Sequence, residues 1–187
     1  MEEKKYAVLI DGDNISSKYL DSILNEMTKY GIATYKRIYC DFTSQQSSKW
    51  RRLVRDSGIQ AMQQFANTVG KNATDSTLII DAMDILYTGN VDGFCIVSSD
   101  GDFTRLAIRL KESGMDVIGM GESKTPRSFR AACTVFTDLE ILYEAESEDD
   151  EISTKGKKPA VKHNVVKVSE IENVICLLYT SDAADDL

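Results

Sequence analysis

The sequence has very little histidine: His163, in a polar segment, is the only one among 187 residues. A serine–histidine or cysteine–histidine catalytic mechanism is therefore excluded in practice. The cysteines are widely separated and never form a CxxC pair, so a zinc site is not indicated. They lie at Cys40, Cys95, Cys133 and Cys176. Three of them fall in or beside apolar strand candidates, which predicts buried thiols in a reducing cytoplasm.

Long apolar runs and a phosphate-binding loop are also missing. No stretch approaches the roughly 20 apolar residues of a membrane span, and residues 1–5 lead directly into the first apolar run, with no secretory signal. Gly119 and Gly121 lack the lysine and the following helix that a phosphate loop requires. We therefore expect a cytoplasmic protein without a P-loop.

Net positive charge is absent as well, but the acidity is unevenly distributed. The formal net charge is −8, of which residues 1–143 carry −2 and residues 144–187 carry −6. The acidic total is mostly a property of the tail. It neither predicts nor excludes RNA binding.

Apolar runs and helically spaced apolar residues alternate through residue 142. The pattern predicts strands at 5–11, 32–39, 59–65, 94–97 and 115–118, and helices at 15–30, 47–56, 73–87, 103–112 and from 125. Residues 135–142 would add a short strand or helix. Such alternation is typical of an α/β domain with a parallel sheet and helices on both faces.

The composition changes after residue 143. An acidic run and a basic run predict a charged, disordered linker over residues 144–164. Apolar spacing returns at residues 165–175, which predicts an amphipathic helix. Residues 176–187 resemble a translated sequencing adapter, so we expect them to be a read-through artefact and the natural protein to continue past Ile175.

Two of the apolar runs end in paired aspartates. Asp11 and Asp13 follow the first strand, and Asp100 and Asp102 follow the fourth, with Ser99 beside them. In open parallel sheets, ligand sites form outside the carboxyl ends of the strands. Clustered carboxylates there predict a site for a hard cation, Mg²⁺ or Mn²⁺.

Each of these acids also has an ordinary structural interpretation. Asp11 could be a turn residue or a helix cap, and Asp100 or Asp102 could cap the next helix. One cap would suffice at each place, which leaves a surplus acid to explain. Asn14 more plausibly braces its loop or orients Asp11 than binds metal.

A third acid is expected from the helix at 73–87. On a helical wheel, Asp75 lies on the apolar stripe at the start of this helix, where an uncompensated carboxylate is costly. Its alternative is a capping role. Asp84 lies about 180° away and is expected to be solvated, whereas the wheel leaves Asp81, about 120° away, undecided.

Basic residues offer possible substrate contacts. The segment 49–55 combines four cations with the only tryptophan, and it could contact phosphates or form a solvated basic face. Lys71, Arg127 and Arg130 are expected nearer the acidic site.

Together these pieces resemble the NYN domain, a member of the PIN-like nuclease group, and within it the bacterial LabA-like (DUF88) proteins. The resemblance covers residues 5–142 in the family's order and rests on residues 9–14, residues 71–75 with Asp81, residues 97–103 and residues 114–117.

The resemblance implies a Rossmann-like three-layer α/β/α fold with strand order 3-2-1-4-5. It also implies a Mg²⁺- or Mn²⁺-dependent ribonuclease site carried by Asp11, Asp75, Asp100 and Asp102. In related proteins a linker often leads to an OST-HTH (LOTUS) RNA-binding domain, and residues 165–175 resemble its beginning. The alternative function is an RNA-binding regulatory module whose acidic pocket does not catalyse.

Overall fold

Six parallel strands form the centre of the protein in a computed structural model, which describes residues 3–45, 47–65 and 73–155. The strand order is β3-β2-β1-β4-β5-β6. The strands are β1 (Lys5–Asp11), β2 (Ile32–Cys40), β3 (Gln60–Gln63), β4 (Gly93–Val97), β5 (Asp116–Gly121) and β6 (Val135–Asp138). The expected order 3-2-1-4-5 is confirmed, and β6 extends the sheet beside β5.

Six α-helices connect and cover the strands. They are α1 (Leu20–Met27), α2 (Ser48–Ser57), α3 (Ala73–Thr88), α4 (Thr104–Glu112), α5 (Arg127–Ala132) and α6 (Leu139–Lys155). Short 3-10 turns at Ser17–Tyr19 and Gly101–Phe103 precede α1 and α4. No helix in the described residues is long and apolar enough to cross a membrane.

The central strands are buried on both faces, as their continuous apolar sequences predict. Along β1, Ala7 and Leu9 belong to one apolar core with residues of α3, α4 and α5. Val8 and Ile10 belong to a second core with residues of α1 and α2. Successive side chains of a strand point to opposite faces, so β1 supplies both cores. The result is the expected three-layer α/β/α arrangement.

The chain divides into two compact units, residues 1–150 and 151–187. The second unit is described only at residues 151–155, where α6 ends, and the predicted helix at 165–175 lies outside the described residues.

The disordered linker predicted for residues 144–164 is wrong over its first part, because α6 continues through the acidic run to Lys155. Glutamate and alanine favour helices, and the first strong helix breaker after Leu139 is Gly156. Tyr143 also packs edge-on against Tyr19, with ring centroids 5.6 Å apart. The acidic run is therefore an extension of a docked helix.

The predicted boundaries of other elements differ by a few residues. The helix expected at 15–30 begins as a 3-10 turn at Ser17 and ends at Met27. The strand expected at 59–65 is limited to Gln60–Gln63 at the edge of the sheet.

Candidate metal centre

The two strands that end in paired aspartates are neighbours in the sheet. Ile10 of β1 pairs with Val97 of β4, so the next residues, Asp11 and Ser98, are level with each other. The Ser98 hydroxyl donates a hydrogen bond of 2.7 Å to Asp11 Oδ2. The sheet order thus brings the two acidic loops together at the carboxyl edge of the sheet, where sites of open α/β folds form.

Asp11 is fully buried and held by three hydrogen bonds. Besides the bond from Ser98, its carboxylate accepts one from the Asn14 side-chain amide at 2.8 Å and one from the Asn14 backbone N–H at 3.3 Å. Asn14 therefore orients Asp11, as the sequence predicted. Burial raises the pKa of Asp11, and the hydrogen bonds from Asn14 and Ser98 oppose that rise.

Three of the four predicted aspartates form a compact cluster. Asp75, Asp100 and Asp102 each offer a carboxylate oxygen, and these oxygens all lie within 4.8 Å of one another. Asp11 is not a member of this cluster among the described residues. The charge of Asp11 nevertheless acts on Asp75. The sequence predicted that four carboxylates would converge. In the structure three of them form the cluster, and the fourth, Asp11, is buried near Asp75.

The loop after β4 fixes two members of the cluster. Asp100 is the cap of the 3-10 turn, and its side chain accepts a hydrogen bond of 2.9 Å from the Asp102 backbone N–H. The Asp100 backbone N–H in turn donates to the Ser98 hydroxyl at 3.0 Å. The capping role and membership of the acidic cluster thus coexist in Asp100.

Several negative charges act on Asp75 in the cluster. Burial raises the pKa of Asp75, and the negative charges of Asp11, Asp100, Asp102 and Asp13 add to the rise in that order, which brings the pKa to about 6. A carboxyl group surrounded by like charges favours its protonated form until a cation balances them. The cluster therefore has the electrostatics of a cation site.

The other two acids of α3 have different surroundings. Asp81 forms an ion pair with Arg37 and accepts a hydrogen bond from the Tyr39 hydroxyl. Asp84 is exposed to solvent, as the helical wheel predicted. The structure thus resolves the open question of Asp81 in favour of a structural ion pair between α3 and β2.

Two other predicted residues, Ser99 and Arg130, form hydrogen bonds within the fold. The Ser99 hydroxyl accepts a hydrogen bond of 3.0 Å from the Glu122 backbone N–H. Arg130 donates to the backbone carbonyls of Thr125, Glu122 and Ser123 and pairs with Asp138 at 3.2 Å. These bonds use Nε and Nη2 of the guanidinium and hold the segment after β5, and the RNA contact at Arg130 stays a prediction.

Of the other predicted contact residues, Arg127 is exposed at the start of α5. Lys71 lies outside the described residues.

Sequence reasoning missed two residues of the site. Ser98 contacts both acidic loops, and the available signal was its place one residue after β4, level with Asp11. Asp13 accepts a hydrogen bond of 2.8 Å from Thr74 in the first turn of α3. This bond joins the loop after β1 to the helix that carries Asp75.

The chain is similar to known proteins in sequence and in fold. The chain is 26% identical over 174 residues to the uncharacterised protein MJ0482 of Methanocaldococcus jannaschii. That alignment covers 90% of this chain and 66% of the relative, so the chain spans just under two thirds of its length.

The fold also resembles the crystal structure of VPA0982, a protein of unknown function from Vibrio parahaemolyticus RIMD 2210633. The TM-score is 0.62 at 19% sequence identity, and the match covers 74% of this chain and 96% of the other. This likeness supports the fold. The model of the NYN domain matches residues 5–140, which contain all six strands and the whole acidic cluster, and the chain therefore belongs to the NYN domain family of PIN-like nuclease folds.

Proposed function

We propose that this protein is a metal-dependent ribonuclease that hydrolyses RNA phosphodiester bonds. The observation that carries the proposal is the meeting of Asp75, Asp100 and Asp102 within 4.8 Å at the carboxyl edge of the sheet. Membership of the NYN family supplies the expectation of RNA as substrate. From the sequence resemblance we further propose that the chain belongs to the bacterial LabA-like (DUF88) branch of that family.

The residues of the cluster fit Mg²⁺ or Mn²⁺. Both ions prefer oxygen ligands, and oxygens that share a Mg²⁺ ion lie about 3–4 Å apart, given metal–oxygen distances of about 2.1 Å. The carboxylate oxygens of the cluster lie within 4.8 Å of one another, which is close to this spacing. A bound divalent ion would activate water for in-line attack and stabilise the charge that develops on the phosphate.

The protein groups have distinct roles in this proposal. Asp100 and Asp102 hold the ion from the loop after β4, and Asp75 holds it from the start of α3. Asp11 completes the acidic site. Its Oδ2 accepts hydrogen bonds from Ser98 and the Asn14 amide, whereas among the described residues its Oδ1 accepts only the 3.3 Å bond from the Asn14 backbone. Oδ1 is therefore the atom of Asp11 that we assign as a further ligand.

Two wider features belong to the same proposal. Cys40, Cys95 and Cys133 are buried free thiols, which suits a reducing cytoplasm. We also propose that residues 1–143 suffice for catalysis and that residues 165–175 begin a separate RNA-binding domain of the OST-HTH type.

The test is cleavage of labelled single-stranded and structured RNA in Mn²⁺ or Mg²⁺, with EDTA as the metal-free control. The variants are Asp100→Asn, in the cluster, and Asp84→Asn, on the exposed face of α3. We expect the wild type and Asp84→Asn to cleave in metal only. Asp100→Asn should lose about a thousandfold in rate, because metal stabilisation of the transition state is worth several kcal/mol.

Melting curves of all three proteins establish that the variants are folded. Cleavage that survives in EDTA or in Asp100→Asn would contradict the proposal. RNA binding by the wild type without cleavage in either metal would support the regulatory module instead.

A further inference from the structure

A cavity opens at the loop that follows β1, and its lining includes Asp13, whose charge also acts on Asp75 of the acidic cluster. Its volume is about 450 Å³, and its walls come from the loop of residues 12–17, the start of α2 and Glu122 at the end of β5. Ligand pockets have volumes of about 300–1,000 Å³. Because Asp11 directly precedes this loop, the cavity adjoins the proposed catalytic site.

The wall between the cavity and the sheet is firmly held. The indole N–H of Trp50 in α2 donates a hydrogen bond of 3.0 Å to the carbonyl of Gly12. Gly12 itself sits tightly on β2: a Cβ atom at this position would lie 2.9 Å from Ile38 Cδ1 and 3.2 Å from Cys40 Cβ. The loop and α2 therefore form a preformed surface.

Only one of the four cations of α2 lines this cavity. That residue is Lys49, which is exposed and forms no ion pair among the described residues. Arg51 instead donates to the backbone carbonyls of Phe42 and Ser44, which holds the loop before α2. Arg52 and Arg55 are exposed outside the cavity lining. The four cations of α2 thus have different surroundings, and Lys49 is the one that lines the cavity.

Two acids also line the cavity, but their carboxylates are engaged. Asp13 accepts hydrogen bonds from Thr74 at 2.8 Å and from the Asp41 backbone N–H at 3.4 Å. Glu122 forms an ion pair of 2.9 Å with Lys124. The charge of Lys49 is therefore available to a ligand, and the hydroxyls of Ser16 and Ser17 lie in the same lining.

We propose that this cavity binds the RNA backbone next to the scissile bond, with Lys49 contacting a phosphate. Lysine and serine side chains are common partners of backbone phosphates, which position the nucleic acid without reading its sequence. The inference rests on the proposed function, because it places the strand relative to the acidic cluster. It separates Lys49 from Arg52 and Arg55, which form a solvated basic face.

The test compares Lys49→Ala with Arg55→Ala, a matched control on the same helix that does not line the cavity. Binding of a fluorescent single-stranded RNA is measured by anisotropy in EDTA, where the proposed cleavage cannot occur, at several salt concentrations. We expect Lys49→Ala to weaken binding about fivefold to tenfold and to reduce the salt slope by about one, as loss of a phosphate contact does.

Arg55→Ala should stay within twofold of the wild type, and Lys49→Arg, which keeps the charge, should retain most of the affinity. Equal losses in Lys49→Ala and Arg55→Ala, or no loss in Lys49→Ala, would overturn the inference. Melting curves establish that the variants are folded.

Cleavage assays separate this inference from the proposed function. In a cleaving protein, Lys49→Ala should raise KM by about the factor by which it weakens binding. If the wild type binds RNA through Lys49 but does not cleave, the cavity assignment stands and the ribonuclease proposal fails. If the wild type cleaves while Lys49→Ala binds and cleaves like the wild type, the cavity assignment fails alone.

Discussion

Asp75 and Asp81 lie six residues apart on α3, yet their surroundings are opposite. Asp75 is surrounded by four other aspartates, whose charges raise its pKa. Asp81 is paired with Arg37 and accepts a hydrogen bond from Tyr39. Of two aspartates on the same helix, one therefore belongs to the acidic cluster and the other to an ion pair.

The difference lies in the side chains that surround each acid. Six residues of helix place two side chains about 120° apart around the axis, so the two acids leave α3 in different directions. Asp75 lies at the edge where β1 and β4 end. The loops that follow these two strands, residues 12–16 and 98–102, contain no basic residue. Asp81 points to β2, which supplies a guanidinium and a hydroxyl. Burial alone therefore does not distinguish Asp75 from Asp81. The charges around each carboxylate distinguish them: other aspartates around Asp75 and Arg37 beside Asp81.

Removing the structural acid should have the largest effect on stability. In Asp81→Ala, the partly buried Arg37 guanidinium and Tyr39 hydroxyl lose their common partner. Breaking one side of a buried ion pair costs about 3–5 kcal/mol, and the partial exposure here places the expected loss near 3 kcal/mol. Urea denaturation measures the loss.

The matched control for Asp81→Ala is Asp84→Ala, whose exposed side chain should matter by less than about 0.5 kcal/mol. Equal losses of stability in the two variants would show that the contacts of Asp81 with Arg37 and Tyr39 do not stabilise the fold.

Substitution of Asp75, in the acidic cluster, should instead increase the free energy of unfolding. The pKa of Asp75 in the folded, metal-free protein, about 6, exceeds its ordinary value of 3.8. The folded state therefore binds this proton more tightly than the unfolded state, and the contribution of Asp75 to stability declines as the pH rises from 4 to 6. Asp75→Asn should be more stable than the wild type above pH 6, by about 1 kcal/mol after solvent screening.

The measurement for Asp75→Asn is urea denaturation in EDTA at pH 4, 6 and 8. The stability difference from the wild type should grow between pH 4 and 6 and then stay constant. A variant that is less stable than the wild type at pH 8 would show that Asp75 is a stabilising cap, which was its alternative role.

The sequence predicted the fold well because its strongest signals are local. The uninterrupted apolar run before Ser98 can only be buried on both faces, and Gly58 adopts a left-handed conformation at the end of α2, as a helix-ending glycine should. The sequence analysis underestimated the length of α6 because it interpreted the acidic run after residue 143 as a disordered linker. Glutamate-rich segments that lack glycine and proline continue a helix once its start is docked.

The site was predictable only in part, because its finer contacts depend on register and on distant residues. Strand-end placement and the helical wheel identified Asp75, Asp100 and Asp102. They did not show that Asp11 would be level with Ser98 and buried, which follows from the pairing of β1 with β4. The role of Asp81 was open because Arg37 is 44 residues away in the chain and meets it only across the folded sheet.

Mn²⁺ binding, followed by electron paramagnetic resonance, tests most directly whether the acidic cluster is a metal site. The wild type and Asp84→Asn should each bind Mn²⁺ at one saturable site, and excess Mg²⁺ should compete for it. Asp75→Asn and Asp100→Asn should weaken binding at least about tenfold, because each removes a charged ligand. Binding in Asp100→Asn that equals the wild type, or no saturable site in the wild type, would contradict the account.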